Sequence, residues 1–282
     1  MKKLSVLAIS FIIFAFTPPS IGWSPYINNT SFPIVETSNS ANGVAVTAPI
    51  TLASAKAVND SPEEMLEEYI EDTFDEMDLR GTGLKRELFT KAVIGLQNFK
   101  KAKLISPNKY IISIVDFGKA SHYKRLWIID LKSKKLLYQT LVAHGQGSGN
   151  DRAEVFSNQV NSHQSSLGFY ITANTYMGKH GLSLKLNGMD AGFNTKALER
   201  AIVVHGADYV SKDFVKVHGR LGRSHGCPAL PVALTPSIIN TIKNKSLLYI
   251  DGNVNTYTSN YLNKSIAASY FVSENRTLTA SL

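Results

Sequence analysis

The chain has 282 residues, with 30 lysines and arginines against 22 acidic residues, a formal net charge of +8 and a single cysteine. One cysteine excludes an intramolecular disulfide framework and any zinc site built from paired cysteines. The basic balance suits an anionic partner such as a wall polymer, but no nucleic-acid motif accompanies it and no nucleic-acid partner is expected.

Lys2 and Lys3 precede the apolar run Leu4–Phe16, and a short polar stretch with prolines follows. Ser20 and Gly22 are small enough for the −3 and −1 positions of a cleavage site. This is the pattern of a secretory signal peptide over residues 1–22, too short for the roughly 20 residues of a spanning helix. The expected location is the periplasm or cell envelope, with no integral membrane span after cleavage. Residues 23–60 are rich in Ser, Thr, Asn, Ala and Pro, lack periodicity and read as a flexible linker.

Ser61-Pro62-Glu63-Glu64 supplies an N-cap serine, a proline at the first helical position and a glutamate three residues on. Leu66, Tyr69, Ile70 and Phe74 then recur at helical spacing on a strongly acidic helix, since Glu63–Asp78 holds nine acidic residues and no basic one. That leaves 30 basic residues against 13 acidic ones elsewhere. A second amphipathic helix is predicted over Arg86–Lys100, completing a helical accessory segment over residues 61–104. The turn between them, Glu76–Glu87, places Asp78, Gly81 and Glu87 as in a calcium loop, but Glu76 and Arg80 occupy ligand positions and a cation there repels Ca²⁺.

From Tyr110 the period changes to that of strands, and residues 105–252 read as one β-rich domain. Strands are predicted at Tyr110–Phe117, Arg125–Leu131, Lys135–Ala143, Leu167–Ala173, Ser183–Leu186, Ala201–Val204, Phe214–Val217 and Leu247–Ile250. Short helices are predicted at Thr195–Arg200, capped by Asn194, and at Pro236–Lys243. The glycine-rich loop His144–Asn150 lacks the lysine-serine or lysine-threonine pair of a phosphate loop. Residues 253–282 read as a polar, irregular tail.

The chemistry converges on Ser224-His225-Gly226-Cys227. A thiol acts as a nucleophile when an imidazole takes its proton and backbone amides await the developing oxyanion. Gly222 and Gly226 allow a tight turn, Pro228 stiffens its exit, and the amides of Gly226 and Cys227 are the oxyanion candidates. Three histidines compete as base. His225 is adjacent but points away on an extended chain, and only five residues separate His218 from Ser224. His205 ends a strand with eighteen residues to spare, so it is favoured, its ring oriented by the Gly206 carbonyl or Asp208. No close-spaced ligand pair accompanies the thiol, so neither metal nor other cofactor is expected.

His205-Gly206 followed by Ser224-His225-Gly226-Cys227, with Ser165-Ser166-Leu167-Gly168-Phe169-Tyr170 upstream, resembles the signature of the L,D-transpeptidase catalytic domain. The resemblance covers about Tyr110–Gly252. It implies a β-rich, sandwich- or barrel-like fold with few helices, here preceded by a helical hairpin, acting on peptidoglycan stem peptides. Cys227 would be the nucleophile and His205 the proton acceptor and donor. His225 and Gly226 would shape the site, with Ser224 and Gly206 against the substrate. The arginine or asparagine usual two places after the cysteine is Ala229 here, and Arg220 or Arg223 is expected to supply the missing cation. The implied reaction is 3→3 cross-linking through a thioester. The alternatives are hydrolysis of that thioester by water, as an L,D-carboxypeptidase, and a non-catalytic wall-binding protein.

Overall fold

The computed structural model describes residues 61–280; the expected signal peptide and linker lie outside them. Helix α1 (Pro62–Glu76) opens on a complete capping box: the Ser61 hydroxyl accepts from Glu64 N–H while the Glu64 carboxylate accepts from Ser61 N–H. Two of the orphan amides of the first turn are thereby satisfied. Leu66, Ile70 and Phe74 are buried, and helix α2 (Arg86–Lys101) sets Leu88, Phe89, Val93, Leu96 and Phe99 against them.

The strands are β1 (Ile111–Asp116), β2 (Leu126–Asp130), β3 (Lys135–Thr140), β4 (Gly168–Gly178), β5 (Gly181–Gly188), β6 (Val203–Gly206), β7 (Ala229–Leu230) and β8 (Leu247–Asp251). They form one sheet in the order β3-β2-β1-β8-β4-β5-β6-β7. β1 with β8 and β6 with β7 are parallel, and the remaining pairs are antiparallel. Beyond β3, Ala143 bridges to Ala229 on the opposite edge strand, so the sheet curls into a nearly closed barrel. The fold is β-rich with few helices.

Strict alternation assigns side chains to two faces. On β8, Leu248 and Ile250 point into the barrel beside Tyr170, Leu184, Leu186 and Val204, with helix α4 (Thr235–Ile242) filling the interior through Ile238, Ile239 and Ile242. Leu247 and Tyr249 point outward beside Ile112, Trp127, Phe169 and Ile171, under α1 and α2.

Three sequence expectations are corrected. Phe214–Val217 is not a strand but lies in helix α3 (Lys212–His218). Its alternating Phe-Val-Lys-Val mimics a strand, yet Ser211 caps the Phe214 amide and Gly219 ends the helix at φ +70°, so the caps decide. Thr195–Arg200 is a succession of turns, not a helix. Asn194 does not cap it: its side chain accepts from Asp190 N–H and donates to the Leu167 and Phe169 carbonyls. The segment read as irregular holds helix α5 (Lys264–Ala280), whose Ala267, Ala268, Phe271 and Val272 are buried against α1 and α2. Two of those contacts are alanines, which a hydrophobic stripe does not advertise. A Lys100–Glu274 pair, its ammonium also over the Tyr110 ring, ties α5 to α2.

Candidate active site

The tetrad follows the return of the chain from α3, and the glycine-rich loop clamps it. Ser224 N–H donates to the His144 carbonyl at 2.9 Å and Gln146 N–H to the Ser224 carbonyl at 2.7 Å. Gly145 and Gly226 meet backbone to backbone: a Cβ on Gly145 would lie 2.7 Å from Gly226 Cα. Gly226 takes φ +118°, a conformation closed to ordinary side chains, and thereby turns the chain sharply before Cys227.

Ser224 Oγ holds that turn from within, donating to the Cys227 carbonyl at 2.6 Å and accepting from Gly226 N–H at 3.1 Å. Ser165 holds it from outside, its hydroxyl accepting from Gly145 N–H and donating to the Gly226 carbonyl. Of the two amides expected to face an oxyanion, that of Gly226 is therefore engaged by Ser224. Among the described residues the Cys227 N–H has no protein acceptor and remains available.

Cys227 is half-buried. Its sulfur accepts from Val203 N–H at 3.5 Å and its thiol donates to the Ala201 carbonyl at 3.7 Å. Burial pushes the thiol above its ordinary range, and the Val203 amide and the Arg200 guanidinium oppose that rise. Arg200 reaches across the turn to the Gln164 carbonyl, the Ser157 carbonyl and the Ser166 hydroxyl. The cation that opposes the rise at the sulfur is thus Arg200. Arg220 donates to the Leu221 carbonyl and Arg223 to the Gly149 carbonyl.

His205 lies on β6, directly paired with Ala229 of β7. Its Nδ1 is 2.9 Å from the Gly206 carbonyl, which makes Nδ1–H the donor and leaves Nε2 as a free base. Burial lowers its pKa, the Gly206 carbonyl raises it, and His180 and Lys179 lower it further. The net lowering favours the unprotonated imidazole, the state a proton acceptor needs. No hydrogen bond joins it to the sulfur: the thiol faces Val203, two residues earlier on β6, roughly 7 Å along the strand. Asp208 is exposed. Gly206 packs closely enough on Thr235 that an added Cβ would meet its hydroxyl at 3.0 Å.

The other histidines separate cleanly. His218 ends α3 in solvent with its ring against Phe214. His225 is exposed and stacks on His163 at 4.3 Å with only 9° between the rings. His180, at the tip of the β4–β5 hairpin, lies on the His205 ring at 4.6 Å. Sequence reasoning singled out neither Arg200, His163 nor His180, because each arrives from a segment whose local pattern carries no mark of the site. Among the described residues no group of three His, Cys, Asp or Glu side chains is arranged to hold a metal ion.

A family model described as L,D-transpeptidase catalytic domain matches residues 80–250. No curated protein matches. Among solved structures, the helical cell shape determining protein Pgp2 of Campylobacter jejuni, in a mutant form, is similar at 11% identity and a TM-score of 0.38, over 64% of this chain and 63% of that one. An L,D-transpeptidase of Mycobacterium smegmatis is similar at 11% identity and TM-score 0.32, over 51% and 59%. An L,D-transpeptidase of Stackebrandtia nassauensis gives 14% and 0.32, over 60% and 69%. The chain spans less than two thirds of the first two.

Proposed function

Because the chain belongs to the L,D-transpeptidase catalytic domain family, we propose that it is an exported peptidoglycan L,D-transpeptidase with Cys227 as nucleophile. The observation that carries this reading is the bond from the Val203 amide of β6 to the Cys227 sulfur, two residues from His205 with its free Nε2, while β6 itself pairs with the strand that follows the tetrad.

The reaction begins with both groups neutral. The thiol leaves the Ala201 carbonyl and gives its proton to Nε2 of His205 as the sulfur attacks the carbonyl of the third stem residue. Negative charge develops on that carbonyl oxygen, where the Cys227 N–H is the available donor. Collapse breaks the bond to the fourth residue, whose nitrogen takes the proton back from His205 and departs as an amine. The tripeptide is left as a thioester. A neighbouring stem amine then attacks it, loses a proton to His205 and releases Cys227, giving a 3→3 cross-link. His225 and Gly226 shape the turn. Ser224 and Gly206 position backbone beside the substrate, and Arg220 and Arg223 act at a distance through the loops they brace. Export with cleavage near Gly22 places the enzyme at the cell envelope; among the described residues no helix is long and apolar enough to cross a membrane.

One observation favours a second reading, a wall-binding protein without turnover: the resting thiol bonds to backbone and not to His205. Incubating the purified protein with a disaccharide-tetrapeptide and following products by mass spectrometry separates the readings. Cross-linked dimer is expected; tripeptide alone indicates the L,D-carboxypeptidase; no product, together with no carbapenem adduct on Cys227, refutes catalysis. Cys227→Ala abolishes the adduct on the proposed assignment.

A further inference from the structure

A cavity of about 740 Å³ opens on the outer face of the barrel where β4 breaks register, and the reaction above does not use it. Its apolar lining includes the buried Ile171, the exposed Leu198, and Leu104 from the end of the helical hairpin. Lys185, Lys245 and Asn187 also line it, and no carboxylate does.

The sheet register connects this cavity to the catalytic residues. Lys185 of β5 pairs with Val203 of β6, so the two side chains share the outer face. His205, two residues on from Val203, lies on that face as well. Tyr176 of β4 pairs with Ser183, two residues before Lys185, and its ring lies 5.7 Å from the Lys185 ammonium. On the other flank the backbone N–H of Lys245 is fixed to the Thr172 carbonyl, with Asn244 and Lys245 both at positive φ (66° and 61°). Two exposed lysines thus line a partly apolar hollow without a carboxylate, and Lys185 stands on the side of the sheet that carries the base.

We infer that this cavity is a subsite for the acyl-donor peptide, in which Lys185 and Lys245 bind the carboxylate of the second stem residue. The inference rests on the functional reading above for the identity of the peptide. Strands spaced about 4.8 Å apart put Lys185 about 10 Å from Cys227 across β6. An extended peptide rising about 3.3 Å per residue covers that distance with two residues and a side chain. A charge-assisted pair with an ammonium discriminates strongly against the neutral amide of the same shape. The apolar lining would take the aliphatic part of the residue, and Leu104 would give the helical hairpin a part in specificity.

The test uses the full chain carrying Cys227→Ser, so that affinity is read without turnover, and two synthetic tetrapeptides that differ only in a free or amidated carboxylate on the second residue. Calorimetry is expected to give about 10-fold tighter binding of the acid, a preference that falls within 2-fold in the K185Q/K245Q variant. Should that variant melt early, the comparison of acid with amide on the parent protein still decides. Equal affinity for the two peptides, or a preference that survives loss of both lysines, overturns the subsite. Failure of the functional reading registers separately, as absence of a carbapenem adduct on wild-type Cys227.

Discussion

Ser224→Ala tests the claim that one hydroxyl sets the geometry of the nucleophile turn. Ser224 is 5% exposed and its Oγ makes two hydrogen bonds within the turn, at 2.6 Å to the Cys227 carbonyl and 3.1 Å from Gly226 N–H. Alanine removes both and leaves a buried amide and a largely buried carbonyl without partners, a loss of about 2 kcal/mol. For a folded unit of this size each kcal/mol shifts the melting temperature by roughly 2–4 °C, so a fall of about 4–8 °C is expected. Gly226 is also freed from the constraint that fixes its φ at +118°, so the Cys227 amide loses its aim. Carbapenem acylation of Cys227 should slow at least about 10-fold, on the scale of a weakened oxyanion contact. Thermal denaturation and intact-protein mass spectrometry read the two effects, and Ser224→Thr, which keeps the hydroxyl, should restore most of both. An alanine variant within about 0.5 kcal/mol of wild type, a shift ordinary for a surface substitution, and acylated at the wild-type rate would refute the reasoning.

Two further expectations concern protons. The iodoacetamide rate of Cys227 in the free protein should rise with a midpoint above that of an ordinary thiol, because burial outweighs the Val203 amide and Arg200; Arg200→Met should move it higher still, and a midpoint in the acid range would refute the resting-state assignment. His144 is fully buried, and burial together with Arg125 holds its pKa down at about 3 from an ordinary 6.5. The unfolded chain therefore binds a proton the native one refuses, so stability is full above pH 6.5 and is lost as pH falls toward 3. Between pH 7.5 and 4 that loss is roughly 3 kcal/mol, and urea denaturation of His144→Leu should show a correspondingly flatter pH dependence. Equal slopes would show that His144 does not carry it.

The sequence made legible what depends on local patterning. Ser61 and Glu64 announced their helix through capping chemistry, and alternation located β1 to β3 within a few residues. The return of the chain beside β6, where His205 pairs with Ala229, followed from eighteen residues between His205 and Ser224, enough for a returning excursion. What occupied that excursion did not follow, because Phe214–Val217 alternates like a strand while its caps enforce a helix. Arg200 escaped notice because its tie to the site is made by backbone carbonyls at 157 and 164, which no side-chain pattern encodes. Helix α5 escaped because small residues meet α1 and α2 there, and close approach needs little hydrophobicity.

Helix α5 has a consequence for the order in which the molecule can be made. Glu67 pairs with Lys264, 197 positions later, and Tyr69 packs on Phe271. The first helix of the described chain thus completes its burial only with the last, across the whole barrel sequence. Contacts of such separation must await closure of a very long loop, which slows folding relative to a bundle of neighbours. While the polypeptide is still being synthesised, α1 has a cap and an acidic face but no finished partner surface. The layer of helices over the barrel is therefore finished by the two ends of the described chain together, and only after the barrel sequence between them has been made.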